Sequence, residues 1–483
     1  MRHFVRATAF NLQAFQRVQP TTGISAATPV RGFQSLGPAM GAASGSPYRV
    51  QIAAGDSGLW KVTQTEAVAR KASELLQEDL EKHHVFFNQD RFHNHIPHHI
   101  LALYGTGAPA AALQKGYDGN TAYQRPVLPT HDRVLANLKT RNHAKKYIGK
   151  EQYYPDFLRF FQREIDARGW EAVVNEYLFS GDAAADDMLV RLFSGFLHPL
   201  IQLMYGMEWK QPAIVAEALA QTAVHGIDIR GFLVEAERAA GEGPGGGSIV
   251  DLFEAIRGDE KLGGVVRNED GNKIRDGVLK RARDEILSLA ARVRVLPEEL
   301  EEKTAEMFDA CVYMASAAAI HPGKIPKYDF FLIHHVNASP IFLTINAQPW
   351  ITAETKARLL EWKIRMDLLE YAARAAPPLS LDKIASYQPK ANPAKTPIEV
   401  VSRLYFLPED GHTIKLARAA LIGRDLSMKY SDKDWMKIKG DDLWMRVFHL
   451  IVDSAGAPGP DWVRTCGLEE AWQDVPDFQD AKL

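Results

Sequence analysis

Apolar residues along this chain recur three and four positions apart, the spacing that lines one face of an α-helix. From Thr65 onward nearly every segment carries it. The predicted helices are Glu66–His84, Asp132–Lys146, Pro155–Arg168, Asp187–Met207, Gln211–His225, Gly277–Val293, Pro297–Ala319, Asp329–Leu343, Thr352–Ala375 and Gly411–Ile422. Two-residue alternation is confined to short pieces such as Tyr48–Ile52. Prolines 377, 378, 389, 393 and 397 mark a long irregular connection. No repeat of fixed period is present. The pattern predicts an all-α, single, multi-helix fold over residues 56–455, with any active site buried between helices. Residues 1–55 are expected as an extension and residues 456–483, rich in Pro and Gly, as a C-terminal tail.

Composition narrows the classes. A net charge of −3 leaves no electrostatic footprint for nucleic acid. Two cysteines, Cys311 and Cys466, rule out a disulfide framework and a thiolate zinc cluster. No apolar run reaches the roughly 18 residues of a transmembrane helix. The N-terminal stretch carries Arg2, Arg6, Arg17, Arg31 and Arg49 with no acid before Asp56. That resembles a mitochondrial transit peptide; the alternative is a basic tail on a cytoplasmic protein.

Chemistry enters where polar groups interrupt apolar helix. Six of the sixteen histidines fall between His83 and His99, around His93-Asn-His-Ile-Pro-His-His99. Pro97 suits a first helical position. His98 then shares a face with Leu101, Ala102 and Gly105, whereas His99 points elsewhere and His95 precedes the helix. Neutral imidazoles beside an apolar helix are the makings of a transition-metal site; a solvated helix start is the bland alternative. His198 precedes a proline that opens or kinks its helix. Glu217, Gln221 and His225 follow at i, i+4 and i+8, so Glu217 could hold a ligand histidine's second nitrogen, or the stripe could face water. His334 and His335 follow Asp329, a plausible N-cap. Lys363 has Asp367 at i+4, ordinarily a surface pair. Gly241-Glu-Gly-Pro-Gly-Gly246 matches a dinucleotide fingerprint formally, but helical residues precede it where a strand is required. No Gly-x-Ser-x-Gly elbow, His-Glu-x-x-His pair or phosphate-binding loop is present.

Taken in order, His93-Asn-His-Ile-Pro-His98-His, Ala102-Leu-Tyr-Gly-Thr-Gly-Ala108, Ser194-Gly-Phe-Leu-His198-Pro, Ile214-Val-Ala-Glu-Ala-Leu-Ala220, Asp329-Phe-Phe-Leu-Ile-His334 and Pro408-Glu-Asp-Gly-His412-Thr-Ile-Lys-Leu-Ala-Arg418 resemble the questin oxidase-like family of fungal polyketide pathways. That family includes a Baeyer–Villiger-type oxidase of aflatoxin biosynthesis. The resemblance covers roughly residues 65–455. It departs in the N-terminal extension and at Gly105-Thr-Gly107, where the family more often has an Ala-Leu-Gly turn.

The resemblance implies oxidative opening of an anthraquinone-type ring with O₂, on a small aromatic polyketide. It implies non-haem Fe(II) held by four histidines and a carboxylated lysine, carried over to His98, His198, His225, His334 and Lys363. Glu217 is expected to orient a ligand imidazole, and His412 to hydrogen-bond a phenol or carbonyl oxygen. NADPH is expected as the reductant of the substrate. Two other readings stay open: a metal-free, NADPH-dependent Baeyer–Villiger-type monooxygenase, and a non-catalytic helical binding protein. The sequence does not fix an oligomeric state.

Overall fold

The computed structural model describes residues 45–241, 245–390 and 394–478, so the transit-peptide expectation lies outside the described residues. The fold is all-α. Among the described residues there is no β-strand, only isolated bridges such as Phe86 with His93 and Asp329 with Val463. The alternating piece Tyr48–Ile52 is no strand: Val50 N–H donates to Gln77 Oε1 at 2.8 Å and Ile52 N–H to Ser73 Oγ at 2.8 Å. Both acceptors sit on helix Glu66–Lys82, so an extended segment is satisfied by helix side chains.

Four helices matter most. Ile96–Tyr104 packs on His198–Glu208 and on His412–Ser427, and Phe330–Ala338 packs on the same two, closing a cycle. Arg418 and Glu208, each about 1 % exposed, form a buried ion pair that braces two members of the cycle. Gly411 has φ +96°, and a Cβ there would lie 2.6 Å from the Cβ of His99. Only glycine lets the start of His412–Ser427 approach Ile96–Tyr104 this closely.

The helix expected over Asp187–Met207 is broken into Ala183–Leu192 and His198–Glu208, bent by 70°. Pro199 lies in the first turn of the second piece, where its missing N–H costs nothing. Between them Gly195, Phe196 and Leu197 take φ of +56°, +54° and +64°. Left-handed backbone costs a non-glycine residue about 1–2 kcal/mol, so this turn is strained twice over. No single helix among the described residues is long and apolar enough to cross a membrane.

Helix Pro212–Val224 is buried on every side, so the Glu217–Gln221 stripe does not face water. His225 does not continue that stripe, because the helix ends at Val224 and His225 is its extended C-cap. Residues 456–478 are no loose tail: Val463 O accepts from Phe330 N–H at 2.9 Å and Cys466 N–H donates to Asp329 Oδ2 at 2.9 Å. They lace the start of helix Phe330–Ala338, with Trp472 and Val475 buried. The glycine-rich stretch follows helix Arg230–Ala239, without the strand a dinucleotide site needs. Beyond it Ser248 and Asp251 form the capping box of helix Ile249–Gly258.

Candidate metal centre

Each helix of the cycle contributes one imidazole. His95 is the N-cap of Ile96–Tyr104, His198 and His412 open their helices, and His334 sits in the second turn of its own. Ring centroids run 5.2 Å from His95 to His198, 4.8 Å on to His334, 4.9 Å on to His412 and 4.5 Å back to His95. All four are buried.

Their outer nitrogens are all committed. Nδ1 of His198 meets Gly195 O at 2.7 Å and Nδ1 of His334 meets Phe330 O at 2.6 Å. Nδ1 of His412 and of His95 meet the two oxygens of Asp410, at 2.5 and 3.1 Å. A carbonyl or carboxylate oxygen only accepts, so each Nδ1 carries the proton and each neutral ring keeps its lone pair on Nε2. Those lone pairs face one another: His95 Nε2 lies 3.0 Å from His198 Nε2, and His412 Nε2 3.2 Å from His334 Nε2. One ring nitrogen from each of His95, His198 and His412 lies within 4.8 Å of the other two.

Protonation does not relieve these contacts. Burial, with Lys415 and His412 nearby, pushes His95 down to about 3. Burial and neighbouring imidazoles hold His198 and His334 well below the usual histidine range. Burial also lowers His412, outweighing the pull of Asp410. Helix N-termini at three of the four rings disfavour added positive charge as well. Lone pairs 3 Å apart without a proton between them are repulsive, and a cation in their midst makes them attractive. The donor set fits a first-row metal.

A second layer surrounds the four. His93 stacks on His198 at 3.9 Å and 5°, and its Nε2 lies 2.8 Å from that of His225. His98 Nε2–H donates to Gln202 Oε1 at 2.6 Å, and Gln202 Nε2–H donates to Glu217 Oε2 at 3.0 Å. Glu217 thus reaches an imidazole only through Gln202. Burial, then Asp79, raises Glu217 well above the carboxylate range. His98 Nδ1 is buried without a partner.

The candidate Lys363 and a second buried lysine, Lys415, differ sharply. Lys363 is wholly buried, with Nζ 2.5 Å from Asp367, 3.5 Å from Cys311 Sγ and 3.7 Å from Met307 Sδ. Asp367 is held in turn by His335 Nδ1 at 2.6 Å. Burial opposes charge on Lys363, but Asp367 and Cys311 outweigh it and its pKa is raised. Lys415 lies one turn after His412, about 2 % exposed, with no hydrogen-bond partner on Nζ. Burial pushes it down to about 8 in spite of Asp410 and Glu409. Its charge is among the causes that lower His95, His98, His99, His198, His334 and His412.

Comparison with known proteins decides the family. The questin oxidase-like family model matches residues 92–420, a span that holds all of these histidines and both lysines. The chain belongs to the questin oxidase-like family. A Baeyer-Villiger oxidase, ptaJ, of Pestalotiopsis fici is 36% identical over 446 residues, covering 90% of this chain and 100% of its own. A questin oxidase of Aspergillus fumigatus is 37% identical over 428 residues, 86% of this chain and 95% of its own. The oxidoreductase AflY of Aspergillus parasiticus is 36% identical over 482 residues, 92% of this chain and 96% of its own. This questin oxidase-like chain is an oxidoreductase.

Within it, the structure brings His98, His198, His225, His334 and His412 into one cluster. Glu217 stands behind it, and Lys363 outside it in the Asp367 network. Among the described residues no hydrogen bond or ring contact joins Lys363 to the cluster, which corrects its expected place beside the histidines. A lysine that Asp367 keeps charged is also the wrong amine for carboxylation, which needs the neutral form. Helical spacing singles out neither His93 nor Lys415 and leaves His95 ahead of its helix. His412, expected at a substrate oxygen, closes the four-imidazole cycle with its ring.

Proposed function

We propose that this questin oxidase-like chain uses O₂ to open the ring of an anthraquinone-type polyketide at a single non-haem iron. His95, His198, His334 and His412 hold the metal, with Lys415 as its carbamate. The observation that carries this reading is the two pairs of facing, proton-free Nε2 atoms, at 3.0 and 3.2 Å. When bound, Fe(II) supplies the one-electron chemistry that lets ground-state O₂ react with a closed-shell aromatic ring.

The chain's own residues do the rest. Gly195 O, Phe330 O and Asp410 lock four Nδ1 protons and so leave four Nε2 lone pairs facing inward in two close pairs. Neutral Lys415 adds CO₂ at Nζ, releasing one proton, and converts a would-be ammonium into an anionic oxygen donor. The pKa of about 8 brings the neutral amine within reach near neutral pH. His98, its Nε2–H fixed by Gln202, offers Nδ1 as acceptor for a phenolic O–H of the substrate. NADPH acts earlier, reducing the quinone to the electron-rich hydroquinone.

The test is O₂ consumption by protein purified without chelator, given a reduced hydroxyanthraquinone, alongside metal analysis. O₂ uptake that tracks iron content and vanishes on chelation supports the reading. Turnover with NADPH by metal-free protein contradicts it and favours a metal-free monooxygenase.

A further inference from the structure

We propose that the turn Gly195–Phe196–Leu197 and the aromatic side chains facing it form the mouth through which a planar aromatic substrate reaches the histidines. Phe196 is the face on which the incoming ring stacks. The substrate class rests on the function proposed above; the position of the mouth rests on geometry.

Exposure falls stepwise along this path. Phe196 is 37% exposed, although large apolar side chains are usually covered. Arg464 is exposed, Phe330, Phe331 and Trp462 are half-buried, and His334 and His412 are buried. The rings run without a gap. Phe196 lies 4.7 Å from Phe331 and 6.3 Å from His334. Phe330 lies 4.8 Å from His334 and 5.1 Å from His412, and Trp462 lies 6.0 Å from His412. Two other flanks of the cluster back onto fully buried groups, Tyr205 against His98 and Phe86 against His225, and a third is covered by the partly exposed carboxylate of Asp410 rather than by an aromatic ring.

The backbone adds an independent reason. Gly195 is required where it is: a Cβ would sit 2.4 Å from Cε1 of His225. Leu197 fills the core, with no exposed surface. Phe196 shares their left-handed backbone and packs on Phe331, yet keeps 37% of its surface exposed. A bulky residue kept in a strained conformation and half-exposed beside a buried site is the signature of a binding contact. Offset stacking of a flat quinone on phenyl and indole faces is favourable. Arg464, its guanidinium 4.9 Å from the Phe330 ring, places a cation at the rim for phenolate oxygens.

The experiment titrates 1,8-dihydroxyanthraquinone into the full chain, following tryptophan quenching, with metal content measured on the same samples. Phe196→Gly relieves the backbone and removes the ring. It is expected to weaken binding by about tenfold or more while metal content stays that of the parent. Phe196→Tyr keeps the ring and is expected to bind within about twofold of the parent. Phe478→Ala, an exposed aromatic near Gly323, serves as the neutral control. Equal affinity of the Gly and Tyr variants overturns the mouth and leaves the proposed function standing. Failure of the parent to bind any hydroxyanthraquinone strikes the substrate class, and the mouth with it.

Discussion

Replacing Lys415 or Lys363 with methionine, which keeps the length and removes the charge, is predicted to shift stability in opposite directions. Lys415 holds a pKa of about 8 when folded against about 10.4 when unfolded. Its folded value is depressed, so the unfolded chain binds the proton more tightly, and below both values the fold carries the full cost. At pH 7 that cost is about 3 kcal/mol, and it fades as pH rises from 8 to above 10. In metal-free protein Lys415→Met therefore stabilises by up to about 3 kcal/mol, a rise of about 3 °C in Tm for a chain of this length. Lys363→Met leaves Asp367 buried with one partner fewer and costs about 3–5 kcal/mol. Differential scanning calorimetry on chelated protein reads both. A fall in Tm for Lys415→Met as large as that for Lys363→Met would refute the claim that Lys415 is an unpaired amine.

Gly195→Ala forces a methyl against His225 at φ +56°. Denaturant unfolding should show a loss of about 2 kcal/mol or more, with weaker metal retention; unchanged metal binding would contradict the role given to Gly195 O. Folded pKa values of about 4 for His84 and about 3 for His95, His99 and His225 lie below the unfolded 6.5. Stability from these groups is present above pH 6.5 and is lost as pH falls, about 6 kcal/mol by pH 5.5. Circular dichroism of metal-free protein should show acid unfolding between about pH 5 and 6; a native spectrum at pH 4 would sink this. Glu217→Gln preserves the acceptor for Gln202 and should be nearly neutral, whereas Glu217→Leu orphans that N–H at about 1–3 kcal/mol. Equal denaturation midpoints would show that Glu217 does not act through Gln202.

Helical spacing carries the all-α fold, because each core helix buries an apolar face and most of the periodic segments do form helices. The break before His198 is legible as well, through Pro199. The site is only half legible, for a physical reason. A helical wheel ranks positions inside a helix, and His95, His198 and His412 lie at helix starts, where side chains project past the end of the cylinder. Their convergence depends on three N-termini meeting, which no local spacing encodes. His225 shows the converse error: its i+8 relation to Glu217 means nothing once the helix stops at Val224. The lysines carried a usable signal. Lys363 has an acid one turn on, at Asp367, and is paired by it. Lys415, in Gly411-His-Thr-Ile-Lys415-Leu-Ala-Arg-Ala419, has no acid at i−4, i−3, i+3 or i+4. A lysine on an apolar helix with nothing to pair with is the one left free to change its charge.

Anomalous diffraction at the iron edge, on crystals of the full chain grown with bicarbonate and without chelator, tests the central claim most directly. The account predicts one peak bounded by Nε2 of His95, His198, His334 and His412 at about 2.0–2.2 Å, with carbamate density continuous from Lys415 Nζ. A peak held by other residues, a carbamate on Lys363, or iron-free crystals from active protein would contradict it.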